Sequence, residues 1–262
     1  MRAFVLFLVA FPLAVAAATP DANTIVRRMK DALEPERSST RTLTVVVTGK
    51  DGESAEFTAG QAHKRVGNAN RMLTALLAPD ALRGIAVLVE EGTTKPDRQW
   101  IYLPTVRRVR EIVPVESYQT FLNTDFTYAD MGFVSRRETY RLLGSETRDG
   151  TRTYRVQATP RASWYYSRFV TFVAVDSWLP VRREFYDPAG LLWKVETWRD
   201  TTAIDGVPIP MRVKMEDVRQ GGSTELRVSD VLWDRELPDD LFDPGKLPEA
   251  AGSAVWNPPR AH

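Results

Sequence analysis

The side chains able to do chemistry are few, and they fall into four groups. Only His63 and the final residue, His262, are histidines, and there is no cysteine. A Ser-His-Asp triad would have to be built on His63, and thiolate metal sites, disulfides and cysteine nucleophiles are excluded. His63 lies between Gln61 and Arg65 in an alternating segment and reads as a solvated histidine. Arg107, Arg108 and Arg110 form the densest basic cluster, with Arg108 and Arg110 on one strand face and Arg107 on the other. Such a cluster can hold a lipid headgroup or dock an acidic partner, or simply pair with Glu111 or Glu116. Asp125 and Asp130 flank Phe126, Thr127 and Tyr128. With no histidine alongside for acid–base work, they read as a helix cap at Asp125 and as ion-pair partners of Arg107 or Arg110. Finally, Ser163-Trp164-Tyr165-Tyr166 could rim a ligand mouth, because Trp and Tyr suit half-wet positions, or could be ordinary edge packing.

None of these groups makes a catalytic centre. The sequence holds no Gly-rich phosphate loop, no G-x-S-x-G turn and no H-E-x-x-H, so no catalytic residue, metal ligand or cofactor is assigned. Lys and Arg number 35 against 34 Asp and Glu, which lacks the basic excess that nucleic acid requires. Hydrophobic residues at 43% and charged ones at 26% place the 262 residues among globular chains.

The elements that must position these residues begin after an address. Met1-Arg2 precedes a short apolar run, residues 3 to 18, broken by Pro12 and ending in small residues at Ala16 and Ala18. This is the pattern of an export signal cleaved near Ala18, and it is too short for a stable membrane span. Its removal takes away Arg2 alone and leaves the mature chain balanced in charge. The expected location is periplasmic.

Residues 21 to 34 carry Ile25, Val26, Met29, Ala32 and Leu33 at three- and four-residue spacing, with Asp21 or Asn23 as cap and Pro35 as stop, which predicts a helix. Beyond it the period becomes two. Alternating segments run from Thr42 to Trp233, separated by turn signals such as Asp149-Gly150 and Asp205-Gly206. No long amphipathic helix intervenes to make parallel crossovers, so the expected fold is mainly β, an antiparallel meander of about eleven strands in a single domain, residues 19–247. Residues 248–262, rich in Ala and Pro, read as a poorly ordered tail.

Several strands are apolar on one parity: Phe169, Val173 and Val175; Leu191, Trp193 and Val195; Met211, Val213 and Met215. The other parity offers Arg182, Glu184, Lys194, Glu196, Arg212 and Lys214. The greasy face must be covered, and a meander this long has to curl to bury it. A curved half-barrel enclosing a cavity and a packed β-sandwich both satisfy the pattern.

Arg98-Gln-Trp-Ile-Tyr-Leu-Pro-Thr-Val-Arg-Arg-Val-Arg110, followed by Phe121-Leu-Asn-Thr-Asp-Phe-Thr-Tyr-Ala-Asp130, resembles the outer-membrane lipoprotein-sorting (LolA-like) family, in particular its longer branch. Pro180 to Gly190, Asp205 to Pro210 and Leu241 to Leu247 are also similar to it. Thr120 stands where the pattern has Ser, and that family's lid-anchoring arginine has no assigned counterpart here. The resemblance implies a half-barrel of antiparallel strands with short helices as lid and an apolar cavity for acyl chains. Taken with the parity of the strands, it assigns Leu43, Val45, Val47, Phe57, Trp100, Tyr102, Phe169, Val173, Trp193, Met211 and Met215 to the cavity. The implied partners are acyl chains of a lipoprotein or lipid, an inner-membrane transporter and an outer-membrane acceptor. A carrier with no catalytic step is expected, with a lipid-sensing envelope regulator or a carrier of another hydrophobic ligand as alternatives.

Overall fold

The structure, a computed structural model, describes residues 19–67, 69–92, 97–132, 138–161 and 165–256. The expected export signal, Ser163, Trp164 and residues 257–262 lie outside the described residues. The first element is helix α1 (Ala22–Leu33), whose cap is Asp21: its carboxylate accepts from the Thr24 amide at 3.0 Å. Ile25, Val26 and Met29 are buried along its apolar stripe.

Thirteen strands follow: β1 (Ser39–Thr48), β2 (Ser54–Val66), β3 (Ala69–Ala78), β4 (Ala86–Glu90), β5 (Arg98–Leu103), β6 (Arg108–Glu111), β7 (Glu138–Arg148), β8 (Thr151–Pro160), β9 (Arg168–Ala174), β10 (Pro180–Tyr186), β11 (Leu192–Ile204), β12 (Val207–Asp217) and β13 (Ser223–Trp233). The sheet has two more strands than the eleven expected, because every alternating segment forms a strand of its own. Two of the hairpins turn on Asp149-Gly150 and Asp205-Gly206, where both residues have positive φ, as a two-residue turn between twisted strands requires.

All thirteen belong to one antiparallel, unclosed sheet in the order β6-β5-β4-β3-β2-β1-β13-β12-β11-β10-β9-β8-β7. The chain starts at the centre, walks out to one edge, transfers to the other edge, and walks back until β13 pairs with β1. Laid flat, thirteen strands would be roughly 60 Å wide. The link between the two edges begins at Ile112, and its described part, residues 112–132, is built from compact turns, including a 3-10 turn at Glu116–Tyr118. That part contacts both halves of the sheet, which is curled into a half-barrel. That topology lays residues 112–132 across the inner face as a lid.

Strand register separates the two faces. Ala62, Leu73, Leu88 and Trp100 form one row across β2 to β5, and Gly60, Ala75, Ala86 and Tyr102 form the next. These rows face outward, where the C-terminal segment covers them: Leu237, Leu241 and Phe242, then α2 (Leu247–Ala251) and Trp256. Small residues in those rows let the segment approach closely. A Cβ on Gly60 would stand 2.4 Å from the Trp256 ring. Residues 248–256 are therefore packed structure and not a loose tail. The sequence pattern hides this because three alanines and a proline within nine residues look compositional, whereas Ala250, Ala251 and Trp256 are buried by the sheet.

The inner face carries α1 over Val156 and Val173, and the lid over Leu43, Val45, Phe57 and Ile101. No described helix is long and apolar enough to cross a membrane.

Candidate functional site

Two covers meet the inner face from opposite sides. On one side α1 packs on β7, β8 and β12. Near its end Lys30, buried, pairs with Glu91 at 2.8 Å and with Glu34, tying the helix to the turn after β4. On the other side the lid inserts Ile112, Phe121 and Tyr128 against Val87, Val89 and Ile101. Phe126 joins Tyr166, Phe185 and Met215 in an adjoining cluster.

Polar contacts pin the lid to both halves of the sheet. On the β5–β6 side, Gln99 Nε2 donates to the Tyr128 carbonyl at 2.7 Å, and Arg110 pairs with Glu116 at 2.6 Å. On the β11–β13 side, Lys194 Nζ donates to the Asp125 carbonyl at 2.6 Å. Thr224 accepts from the Asp125 amide at 2.8 Å and donates to its carboxylate at 2.7 Å. Asp130 accepts from the Thr127 amide at 2.9 Å and from the Tyr165 and Tyr166 hydroxyls at 3.3 Å. Burial, reinforced by the Asp130 charge, pushes both tyrosine pKa values far up, so both phenols stay protonated as donors. Asp125 and Asp130 thus serve the lid's own fold. The expected helix cap at Asp125 and ion pairs to Arg107 or Arg110 are not formed, because Thr224, Thr127 and the two tyrosines lie closer.

Between the covers lies a cavity of about 210 Å³. Its walls include Leu33 at the end of α1 and Pro35 just after it, Leu43 and Met72 on the sheet, Phe126 and Met131 from the lid, and Trp198, Ile209, Val213, Leu226 and Val228 from the second half. Arg41, Gln61, Asp130 and Glu196 add polar groups. A neighbouring void of about 10 Å³ shares Leu43, Phe126, Met131 and Leu226 with it. The larger space exceeds the ~150 Å³ of an engineered apolar cavity that admits benzene.

The structure distributes the expected cavity residues unevenly. Leu43 lines both spaces, and Val45 and Phe57 line the smaller one, with Val47 packed beside them. Phe169, Trp193 and Met215 sit in the aromatic cluster under the lid, and Val173 is sealed beneath α1. Trp100 and Tyr102 do not belong to the cavity. They face the C-terminal segment on the outer side, while Gln99 and Ile101 point inward. Met211 is half-buried and lines neither space.

The charged parity of β11 is also reversed: Lys194, Glu196 and Trp198 face inward. The register shift between Phe185 and Tyr186 opposite Lys194 and Leu192 leaves Trp193 as an extra residue, which the bulge aims into the cluster. His63 is buried, not solvated. Its Nδ1 lies 3.3 Å from the Arg37 carbonyl, and burial lowers its pKa. Of the arginine cluster, Arg110 is taken up by Glu116, while Arg107 and Arg108 are exposed. Tyr165 and Tyr166 of the aromatic run pack beneath the lid.

Glu196 makes the cavity sensitive to pH. It is 8% exposed, and burial raises its pKa from 4.5 to about 7, opposed by Arg183 at 3.4 Å. The folded chain therefore holds this proton more tightly than the unfolded chain does. Its contribution to stability is complete below about pH 4.5 and is lost as pH rises through about 7. Urea unfolding at pH 5 and pH 8 should show the wild type losing up to about 3 kcal/mol relative to Glu196→Gln. A difference between the two proteins that does not move with pH would remove Glu196 as the titrating group.

Residues 68–249 match the model of a protein family described as "Uncharacterized protein". No protein with a curated description matches the chain. Among solved structures, a domain provisionally assigned to outer-membrane lipoprotein sorting, from Vibrio parahaemolyticus, aligns with a TM-score of 0.81 at 24% identity over 87% of this chain and 98% of that one. A DUF1329 family protein from Desulfovibrio piger aligns with a TM-score of 0.79 at 24% identity, over 87% of this chain and 100% of that one. A LolA superfamily protein from Nitrosomonas europaea aligns with a TM-score of 0.69 at 23% identity, over 86% and 98%. These likenesses establish the half-barrel as the shared fold.

Proposed function

The chain belongs to the family whose model spans residues 68–249 and has the fold of LolA superfamily proteins, and from that premise we propose that it is a periplasmic carrier of acyl chains. The observation that carries the proposal is the cavity between the inner face of the sheet and its two-part cover, with apolar side chains from every wall. At its present volume it admits only part of a long chain. Moving the lid off Leu43 and Leu226 joins it to the neighbouring void and to the space now filled by Phe126. Each methylene buried contributes about 0.8 kcal/mol, so five or six supply about 4–5 kcal/mol, enough for reversible capture.

Export follows from the apolar run at residues 3 to 18, and no catalytic step is involved. Loading and unloading engage an inner-membrane transporter and an outer-membrane acceptor. Arg107 and Arg108, exposed with Val106 at the turn between β5 and β6, offer an acidic partner a basic contact. Native mass spectrometry of protein released gently from the periplasm is the test. The expected spectrum contains a co-purifying acyl compound, or an added acyl probe taken up in one-to-one ratio. A protein that is always empty and refuses every acyl probe overturns the proposal.

A further inference from the structure

The polar residues of the cavity are not equally satisfied. Glu196 has Arg183, and Asp130 has Thr127 and two tyrosine hydroxyls. Gln61 donates its amide to Thr74 at 3.2 Å. The neighbouring inward cation, Lys194, donates to the Asp125 carbonyl. Arg41 differs. It stands on the inward parity of β1 with Leu43 and Val45, directly opposite Gln61 in register, and it lines the cavity. It is half-buried and makes no hydrogen bond or ion pair among the described residues. A guanidinium has five donors, stays charged, and is costly to keep from water without an anion.

The surroundings accentuate this. Burial lowers the pKa of Arg41, and no carboxylate lies close enough to offset that effect. Its neighbour His63 is held toward the neutral form by burial, so it neither supplies nor competes for an anion. The two carboxylates on the same cavity are committed elsewhere, Glu196 to Arg183 and Asp130 to the lid.

Resting on the carrier reading, we propose that the cavity takes an acyl chain bearing an anionic head, a carboxylate or a phosphate, and that Arg41 binds that head while Leu43, Met131 and Leu226 hold the first part of the chain. The planar guanidinium suits two-pronged recognition of either group, so the inference concerns their shared chemistry. The lid and the residues after α1 then close over the tail and the head respectively.

Four sixteen-carbon probes test it against the mature, delipidated protein: palmitate, hexadecyl phosphate, hexadecanol and hexadecylamine, with binding followed by native mass spectrometry and titration calorimetry. At least one anionic probe should bind about tenfold or more tighter than the alcohol, with the amine weakest. Which anion is preferred identifies the source of the head group. Arg41→Gln should bring the ratio of anion to alcohol affinity close to one, and Arg41→Lys should restore part of the preference. Equal affinity for anion and alcohol in the wild type, or a preference that survives Arg41→Gln, overturns the role of Arg41 while leaving the carrier reading standing. Refusal of all four probes overturns both.

Discussion

Replacing Phe242 by alanine should lower the unfolding free energy by about 3–5 kcal/mol, measured by urea denaturation at neutral pH. Phe242 is fully buried, packed with Leu241, Leu247 and Trp256 over the outward row of Leu73, Leu88 and Trp100. Arg71 Nη1 donates to its carbonyl at 2.8 Å, so the backbone is held in place and the neighbours collapse only partly into the vacated space. Leu191→Ala is the control, because Leu191 is 61% exposed and its loss should change stability by less than about 0.5 kcal/mol. If Phe242→Ala behaved like the control, the C-terminal segment would not be a structural layer of the fold. The expected loss is large because this half of the sheet is apolar on both faces. Without the segment, Ala62, Leu73, Leu88 and Trp100 would meet water.

Leu226→Trp should weaken binding of any acyl ligand by about a hundredfold or more. Leu226 lines both the 210 Å³ cavity and the smaller void next to it, on the row shared with Val45 and Val213. An indole there fills the space that joins them. A chain that can no longer bury about four methylenes loses roughly 3 kcal/mol, which corresponds to about two orders of magnitude in Kd. Titration with a fluorescent acyl probe measures this, and unfolding curves show whether the variant keeps its fold. Binding that survives in a folded Leu226→Trp protein would place the ligand elsewhere on the molecule. The variant is informative beside Arg41→Gln, since one removes the chain's space and the other the head's partner.

The lid shows how motif and topology divide the work. The run Phe121 to Asp130 is recognisable as a motif, and its residue types make sense once seen: Phe121, Phe126 and Tyr128 are buried anchors. Thr124 donates to the Phe121 carbonyl, while Asp125 and Asp130 accept from hydroxyls. Its position over the inner face follows from strand order and not from any local signal, because β6 and β7 are opposite edges of one sheet.

Faces were harder to read than strands. Trp100 and Tyr102 are large, apolar and in alternation, so they look like cavity residues. Alternation defines two faces without saying which is inner, and here the outer face is also buried, by residues 237–256. On β11 a bulge shifts the side chains by one position, so Trp193 and the charged Lys194 and Glu196 all serve the inner side. Such a shift leaves no trace in a period-two pattern. Arg41 shares parity with Leu43, Val45 and Val47, but only the curled sheet brings this charge to the cavity.

Local information settled what local forces control. Backbone preference and period determined α1 with a cap at Asp21 or Asn23, the alternating segments that become strands, and turns such as Asp205-Gly206, each of which depends on neighbours within a few residues. Tertiary structure alone decided which parity is inside, that the C-terminal segment is a second layer, and that Asp130, Glu196 and Arg41 share one cavity. Those outcomes depend on contacts between residues far apart in the chain. Burial and charge pairing act through space, and a linear pattern carries neither until the sheet has curled.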